Sequence, residues 1–271
     1  MSILQTAEQL AVRYLPERVT KQLVEWKARL PKKLWQAAPI VQMYIDDDHT
    51  RSFVGLHNFY SALLPEVATV ADVELGFYAP TGHLIAKTRH DLHHFAARAV
   101  DVHAALGGKR SPFGVVTAQI TPRAPRRRIY RDLGQVSSHF FMFFRDAAAG
   151  AVEQTHPLST TDAGNQPSAP FTSSQILSTA GLEKLVVFQY NPGPRAHTLE
   201  HALVDAQTGE TVATRSHAIP ALGSARSVFT IAELPRIPAQ LLFCVDALPA
   251  SNAKPMLRRV FAGGRHSMSH A

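Results

Sequence analysis

The sequence predicts a mainly β protein: two antiparallel β-sandwiches in tandem, preceded by a helical segment. Three observations predict it. Strand-length apolar runs alternate with turn clusters from about Gln42 onward. The two halves of that stretch repeat one another. The first 35 residues instead place apolar residues at three- and four-residue intervals. The boundaries that follow are 1–40 for the helical segment, 41–150 for the first sandwich, 151–175 for a linker and 176–271 for the second sandwich.

In the helical segment, Ile3, Ala7, Leu10 and Tyr14 form one apolar stripe, and Val19, Leu23, Trp26 and Leu30 form another. Pro16 suits the first turn of the second helix and Pro31 ends it. Arg18, Lys21, Lys27 and Arg29 would suit a membrane surface, but Glu8, Glu17 and Glu25 dilute the basic face. A helical hairpin packed on the body, or on a second copy, is the plainer expectation. The first strand series covers 52–59, 73–78, 84–88, 97–104, 113–120 and 140–144. Residues 155–174, rich in Ser, Thr, Pro, Gly and Asn, read as a linker or long loop. Strands resume at 185–190, 199–205, 211–216, 225–231 and 241–245.

The repeat carries most of the fold prediction. Thr81-Gly82-His83-Leu84-Ile85-Ala86 aligns with Thr208-Gly209-Glu210-Thr211-Val212-Ala213, an offset of 127 residues. The same offset pairs Phe77 with Val204, Ala79 with Ala206, His90 with His217, Leu92 with Ile219 and Pro122 with Pro249. Farther upstream an offset of 133 sets His57-Asn58 against Tyr190-Asn191, which requires a longer loop in the first copy. Gly82 and Gly209 sit where a hairpin turn needs positive φ.

Phe188-Gln189-Tyr190-Asn191-Pro192, Ala206-Gln207-Thr208-Gly209-Glu210, Ile219-Pro220 and the run from Ser227 to Leu234 together form a strand-and-turn plan. This plan resembles the jelly-roll or immunoglobulin-like units of the sensory rhodopsin transducer family and similar bacterial sandwich domains. The resemblance implies non-catalytic, oligomeric work in binding a protein or ligand. The chain departs from the family pattern by having two units and an added helical segment.

The 271 residues suffice for two cores, and the formal charge of +7 favours anionic partners without forming the basic stripe of a nucleic-acid binder. The single cysteine, Cys244, excludes an internal disulfide and reads as a small apolar residue in a strand. The N-terminus lacks the pattern of a secretory signal and no run is long enough to span a membrane, so a cytoplasmic protein is expected.

Four groups are candidates for chemistry. Arg123, Arg126, Arg127 and Arg128, with Lys109 and Arg110 in a nearby turn, could bind an anion or an acidic or phosphorylated partner, with Tyr130 as a stacking face. The plainer alternative is an exposed basic loop. His90, Asp91 and His93, near His83, His94 and His103, could hold iron or zinc if they converged on one face; loop histidines are the plainer reading. His57, His139 and His156 could meet only in three dimensions. Phe140, Phe141, Met142, Phe143 and Phe144 make a strand apolar on both faces, which asks for cover on both sides: an interior strand, an interface or an apolar ligand slot. Asp46-Asp47-Asp48-His49 reads as a solvated turn, without the spacing of a calcium loop.

No phosphate loop, dinucleotide fingerprint, nucleophile elbow or zinc-protease motif is present. The expectation is therefore a non-catalytic binding, scaffold or adaptor protein without a cofactor, self-associating and using sandwich edges, the aromatic strand and the basic loop. The alternatives are a metal-dependent enzyme (non-haem iron or zinc) using a histidine cluster, and an anion or nucleic-acid binder.

Overall fold

Each run of alternating apolar residues becomes a strand with one face turned to an interior, and these strands assemble into two sandwiches. The computed structural model describes residues 16–27, 38–126, 128–129, 140–157, 159–161, 170–250 and 252–271. The first helix expected, at Ile3–Tyr14 spacing, lies outside the described residues. The second is α1 (Glu17–Lys27), which starts directly after Pro16; Val19 and Leu23 of its stripe are exposed.

The first sandwich contains β1 (Ile40–Ile45), β2 (Thr50–His57), α2 (Phe59–Leu63), β3 (Val70–Tyr78), β4 (Leu84–Leu92), β5 (Ala97–Asp101), α3 (Val102–Leu106), β6 (Phe113–Ala124), β7 (Phe141–Asp146), β8 (Val152–Thr155) and β9 (Ser159–Thr160). Its two sheets run β4-β3-β6-β1-β9 and β5-β2-β7-β8. The second contains β10 (Phe171–Thr172), β11 (Leu177–Ser178), β12 (Leu182–Tyr190), β13 (His197–Asp205), β14 (Thr211–Ile219), β15 (Ser224–Thr230), a 3-10 turn (Ile231–Glu233), β16 (Gln240–Val245), β17 (Met256–Phe261) and β18 (His266–His270). Its sheets run β10-β16-β13-β14, with β11 also on β16, and β15-β12-β17-β18. All pairings are antiparallel.

The strand orders of the two sandwiches correspond, except that β9 has no counterpart and that β10 and β11 both pair with β16 where β1 alone pairs with β6; several details that a shared topology does not require correspond as well. Asn58, buried after β2, donates through Nδ2 to the carbonyls of Leu92 (3.1 Å) and His93 (3.0 Å). Asn191, buried after β12, donates to the carbonyls of Ile219 (3.2 Å) and Pro220 (3.1 Å), the matching positions. Phe95 (φ 56) and Leu222 (φ 53) match as well and are, among the described residues, the non-glycine residues with positive φ. Each asparagine therefore ties the end of one sheet to the crossover of the next, satisfying carbonyls that the sheets leave unpaired.

Register corrects the alignment at one place. The irregularity at Phe77/Tyr78 in β3 corresponds to Leu203/Val204 in β13, so Phe77 matches Leu203, and not Val204. Between the matched pairs Tyr78–Leu84 and Val204–Thr211, the second hairpin holds one residue more than the first. Phe77 and Leu203 are both fully buried, as one shared inward position demands.

Three further expectations change. Residues 97–104 do not form one strand: the Asp101 carboxylate accepts from the backbone N–H groups of His103 (2.8 Å) and Ala104 (3.4 Å), and this cap turns the chain into α3. The stretch 151–175 is not simply a linker, because β8 and β9 complete the first sandwich and β10 begins the second. There are two cores, but the first also draws on strands of the second sandwich. In β12, Leu185 and Val187 face the second core, while Val186, Phe188 and Tyr190, with Met256 of β17, join the core of the first. A sheet covered on both faces needs apolar residues at successive positions, as β12 has.

Candidate functional site

The junction between the sandwiches is built around Arg258. This residue lies on the face of β17 turned to the first sandwich and is 4% exposed. Its Nη2 donates to Asp47 Oδ2 (2.8 Å) and Thr50 Oγ1 (3.1 Å), and its guanidinium lies 5.0 Å from the centre of the Phe188 ring. Asp47 is held in place because its other oxygen accepts from the backbone N–H groups of His49 and Thr50. The residues at 46–49 are thus more than a solvated turn: Asp47 anchors the second sandwich, and Asp46 pairs with His103.

Beside Arg258 is a cavity of about 190 Å³, lined by residues of the first sandwich that include Phe144, Asp146 and Glu153, and by His266, Ser267 and Met268 of the second. Arg258 Nε, His266 Nδ1 and Ser267 Oγ are buried and have no hydrogen-bond partner among the described residues. The His49 and His266 rings lie 4.5 Å apart. Burial, then the neighbouring His49, holds His266 below the usual histidine range. The Ala149 backbone N–H, with that of Ala148 and the nearby His266 and His49, holds Asp146 below the usual carboxylate range. The cavity thus combines unpaired polar atoms with carboxylates and an imidazole, a combination suited to holding a polar ligand.

A second polar cluster lies inside the second sandwich and escaped the sequence reading. His201 is fully buried; its Nδ1 is 2.7 Å from Ser227 Oγ, and His217 Nε2 is 2.6 Å from the same oxygen. One hydroxyl proton cannot serve both contacts, so one imidazole accepts from Ser227 and the other donates to it. Burial, followed by His217, pushes His201 down to about 3, partly opposed by Asp246. A signal was available: His201 sits at alternate spacing with Leu199 and Leu203 on the apolar face of β13.

The arginine-rich group does not converge as expected. Arg123 lies between Asp72 (3.2 Å) and Asp91 (3.5 Å), and Arg128 pairs with Glu66 (3.3 Å). Arg126 is half-buried, and Arg127 lies outside the described residues. Lys109 and Arg110 precede β6 while Arg123 is near its far end, so the two groups stand about 30–40 Å apart along twelve strand residues. Lys109 Nζ donates to the Ile85 carbonyl.

The proposed metal ligands are also separated. His90 Nε2 meets Thr88 Oγ1 (2.9 Å) and its Nδ1 meets the cationic Arg98 (3.1 Å). Asp91 is on the opposite face of β4 and pairs with Arg123, while His93 is in the exposed crossover. Among the described residues, no three His, Cys, Asp or Glu side chains are grouped to hold a metal ion.

The aromatic strand has two unlike faces. Phe140, Met142 and Phe144 are buried in the first core, whereas Phe141 and Phe143 are half-buried on the outer face. There His57 (5.3 Å) and His156 (4.6 Å) each contact the Phe141 ring; His139 lies outside the described residues. Cys244 is half-buried, its Sγ 3.6 Å from Thr172 Oγ1.

No protein-family model matches this chain, and no curated protein matches it. Solved structures similar to it include the M60 catalytic domain with the CBM51-1 and CBM51-2 domains from Clostridium perfringens ZmpB, at 8% identity. That match covers 79% of this chain and 32% of the other, with a TM-score of 0.19. A β-glucuronidase from glycoside hydrolase family 2 shares 10% identity over 90% of this chain and 25% of its own, again with a TM-score of 0.19. The chain spans a third or less of those structures, and likenesses at that score carry no argument. Among the described residues, no helix is long and apolar enough to cross a membrane.

Proposed function

We propose that this is a non-catalytic binding protein whose recognition site is the cavity at the junction of the two sandwiches. One observation carries the reading: Arg258 Nε, His266 Nδ1 and Ser267 Oγ are buried beside that cavity without partners among the described residues. Unpaired buried polar groups cost stability, on the order of 1–3 kcal/mol each, unless a ligand engages them. The shared core supports the same reading, because a junction rigid enough to present fixed polar groups needs the two bodies locked together. The non-catalytic role implied by the resemblance to the sensory rhodopsin transducer family is compatible with it. Self-association through open sheet edges belongs to the same proposal, with β4, β8, β14 and β18 as available edges. The arginine loop contributes less than its composition suggests, since Arg123 and Arg128 already have carboxylate partners.

The test is native mass spectrometry of the protein purified from its own host, comparing wild type with Ser267→Trp, which fills the cavity. A bound species retained by the wild type and lost from the variant supports the proposal. An empty wild-type protein, or equal retention by both, overturns it.

A further inference from the structure

The mouth of the second sandwich, between edge strands β14 and β15, differs from its counterpart in the first. In the first sandwich the equivalent mouth lies between β4 and β5. There α3 packs on β2 and β4 and buries Val102 (0% exposed) and Leu106 (2%). The inward positions behind it are Leu75 and Val100, both buried and apolar. In the second sandwich a 3-10 turn, Ile231–Glu233, stands in place of α3. A cavity of about 340 Å³ opens there, lined by Val212, Arg215, Phe229, Thr230, Glu233 and Leu234, among others. Behind it, His201 and Ser227 occupy the positions of Leu75 and Val100.

The register makes this an organised surface. Arg215 and His217 are two residues apart on β14, and Ser227 and Phe229 are two apart on β15, so each pair projects to one face. Arg215 is directly across from His201 in the β13–β14 ladder. Its guanidinium lies 5.6 Å from the centre of the Phe229 ring and donates to the Thr214 carbonyl. Arg215 and Glu233 line the same cavity, yet among the described residues neither has an ion-pair partner and the two are not paired with each other. One unspent cation and one unspent anion on a cavity whose apolar lining includes half-buried Leu234 and exposed Pro235 complement a small zwitterion with an apolar body.

We propose that this mouth is a binding site for an α-amino-acid-like zwitterion. Arg215 takes the carboxylate, Glu233 the ammonium group, and Leu234 with Pro235 an apolar side chain. The first sandwich cannot offer such a site, because α3 fills the equivalent space and Thr88 stands where Arg215 stands. The site is separate from the junction cavity, so either can fail without the other.

The experiment is isothermal titration of the full chain with leucine, phenylalanine, aspartate and lysine, and with N-acetyl-leucine, which lacks the ammonium charge. Leucine or phenylalanine is expected to bind and the other three to bind at least tenfold more weakly. Arg215→Ala and Glu233→Gln, both on exposed side chains, should each weaken that binding at least tenfold, while Ser267→Trp leaves it unchanged. Absence of binding by any of the amino acids overturns the proposal. So does binding of N-acetyl-leucine equal to that of leucine, or binding indifferent to both Arg215→Ala and Glu233→Gln.

Discussion

The two sandwiches share most of their strand order, a buried asparagine at the same crossover and a positive-φ residue at the same loop, yet they treat the matched interior positions oppositely. The first fills them with Leu75 and Val100 and closes the mouth with α3. The second fills them with His201 and Ser227 and leaves the mouth open. Since the first sandwich folds with apolar residues there, the histidine and serine are not needed to make the fold. Their presence is a departure from local stability, and such departures concentrate at sites selected for something else.

The junction offers the largest test of this comparison, because it requires the two bodies to behave as one. Arg258→Ala strands Asp47 at the interface and should cost roughly 3–5 kcal/mol, as breaking buried ion pairs does. Urea unfolding followed by near-ultraviolet circular dichroism should show a lowered midpoint. A cost below about 1 kcal/mol would mean that the sandwiches are not locked through this residue.

The asparagine clamps come next. Asn58→Ala and Asn191→Ala each remove a buried donor from several carbonyls and should each cost about 2–3 kcal/mol, by similar amounts. A loss in one with none in the other, measured by the same unfolding curves, would break the equivalence of the two halves.

The polar core of the second sandwich should show itself through pH. The folded His201 value of about 3 lies below its ordinary 6.5. As pH falls through 6.5, the unfolded chain takes up a proton that the folded chain refuses, so stability drops toward acid at about 1.4 kcal/mol per pH unit. His201→Leu with Ser227→Val, which installs the residues of the first sandwich, should flatten that slope between pH 6 and 5. Unfolding midpoints at the two pH values decide it; an unchanged slope would place the acid sensitivity elsewhere.

The smallest effect separates the paired hairpin glycines. Gly209 (φ 74) has open space where a Cβ would stand, so Gly209→Ala should cost about 1 kcal/mol from backbone strain alone. A Cβ on Gly82 (φ 80) would strike the Ala221 carbonyl of the other sandwich, so Gly82→Ala should cost more. Thermal midpoints that are equal for the two variants would remove the contact between the 79–83 turn and the 220–223 loop from the account.

Legibility followed the range of each interaction. The hairpin turns and the Asn58/Asn191 match could be read from composition and spacing because both depend on short stretches of chain. The Asp101 cap was equally local and was overlooked because the apolar run continues through it. The single-residue slip between β3 and β13 was hidden because the turn motif aligns whether or not the strand before it shifts. His201 was readable as a polar residue on an apolar stripe, but its partners Ser227 and His217 come from other strands.

Alternation of apolar and polar residues, with glycine and asparagine at turns, determined that the chain forms paired antiparallel sheets, since strand periodicity and turn geometry act over a few residues. Only the tertiary structure decided that one sheet is buried on both faces, that Arg258 reaches Asp47, and that a mouth closed in one half is open in the other. Those features join residues far apart in the chain, and a charge or a ring carries no mark in the sequence of which distant surface it will meet.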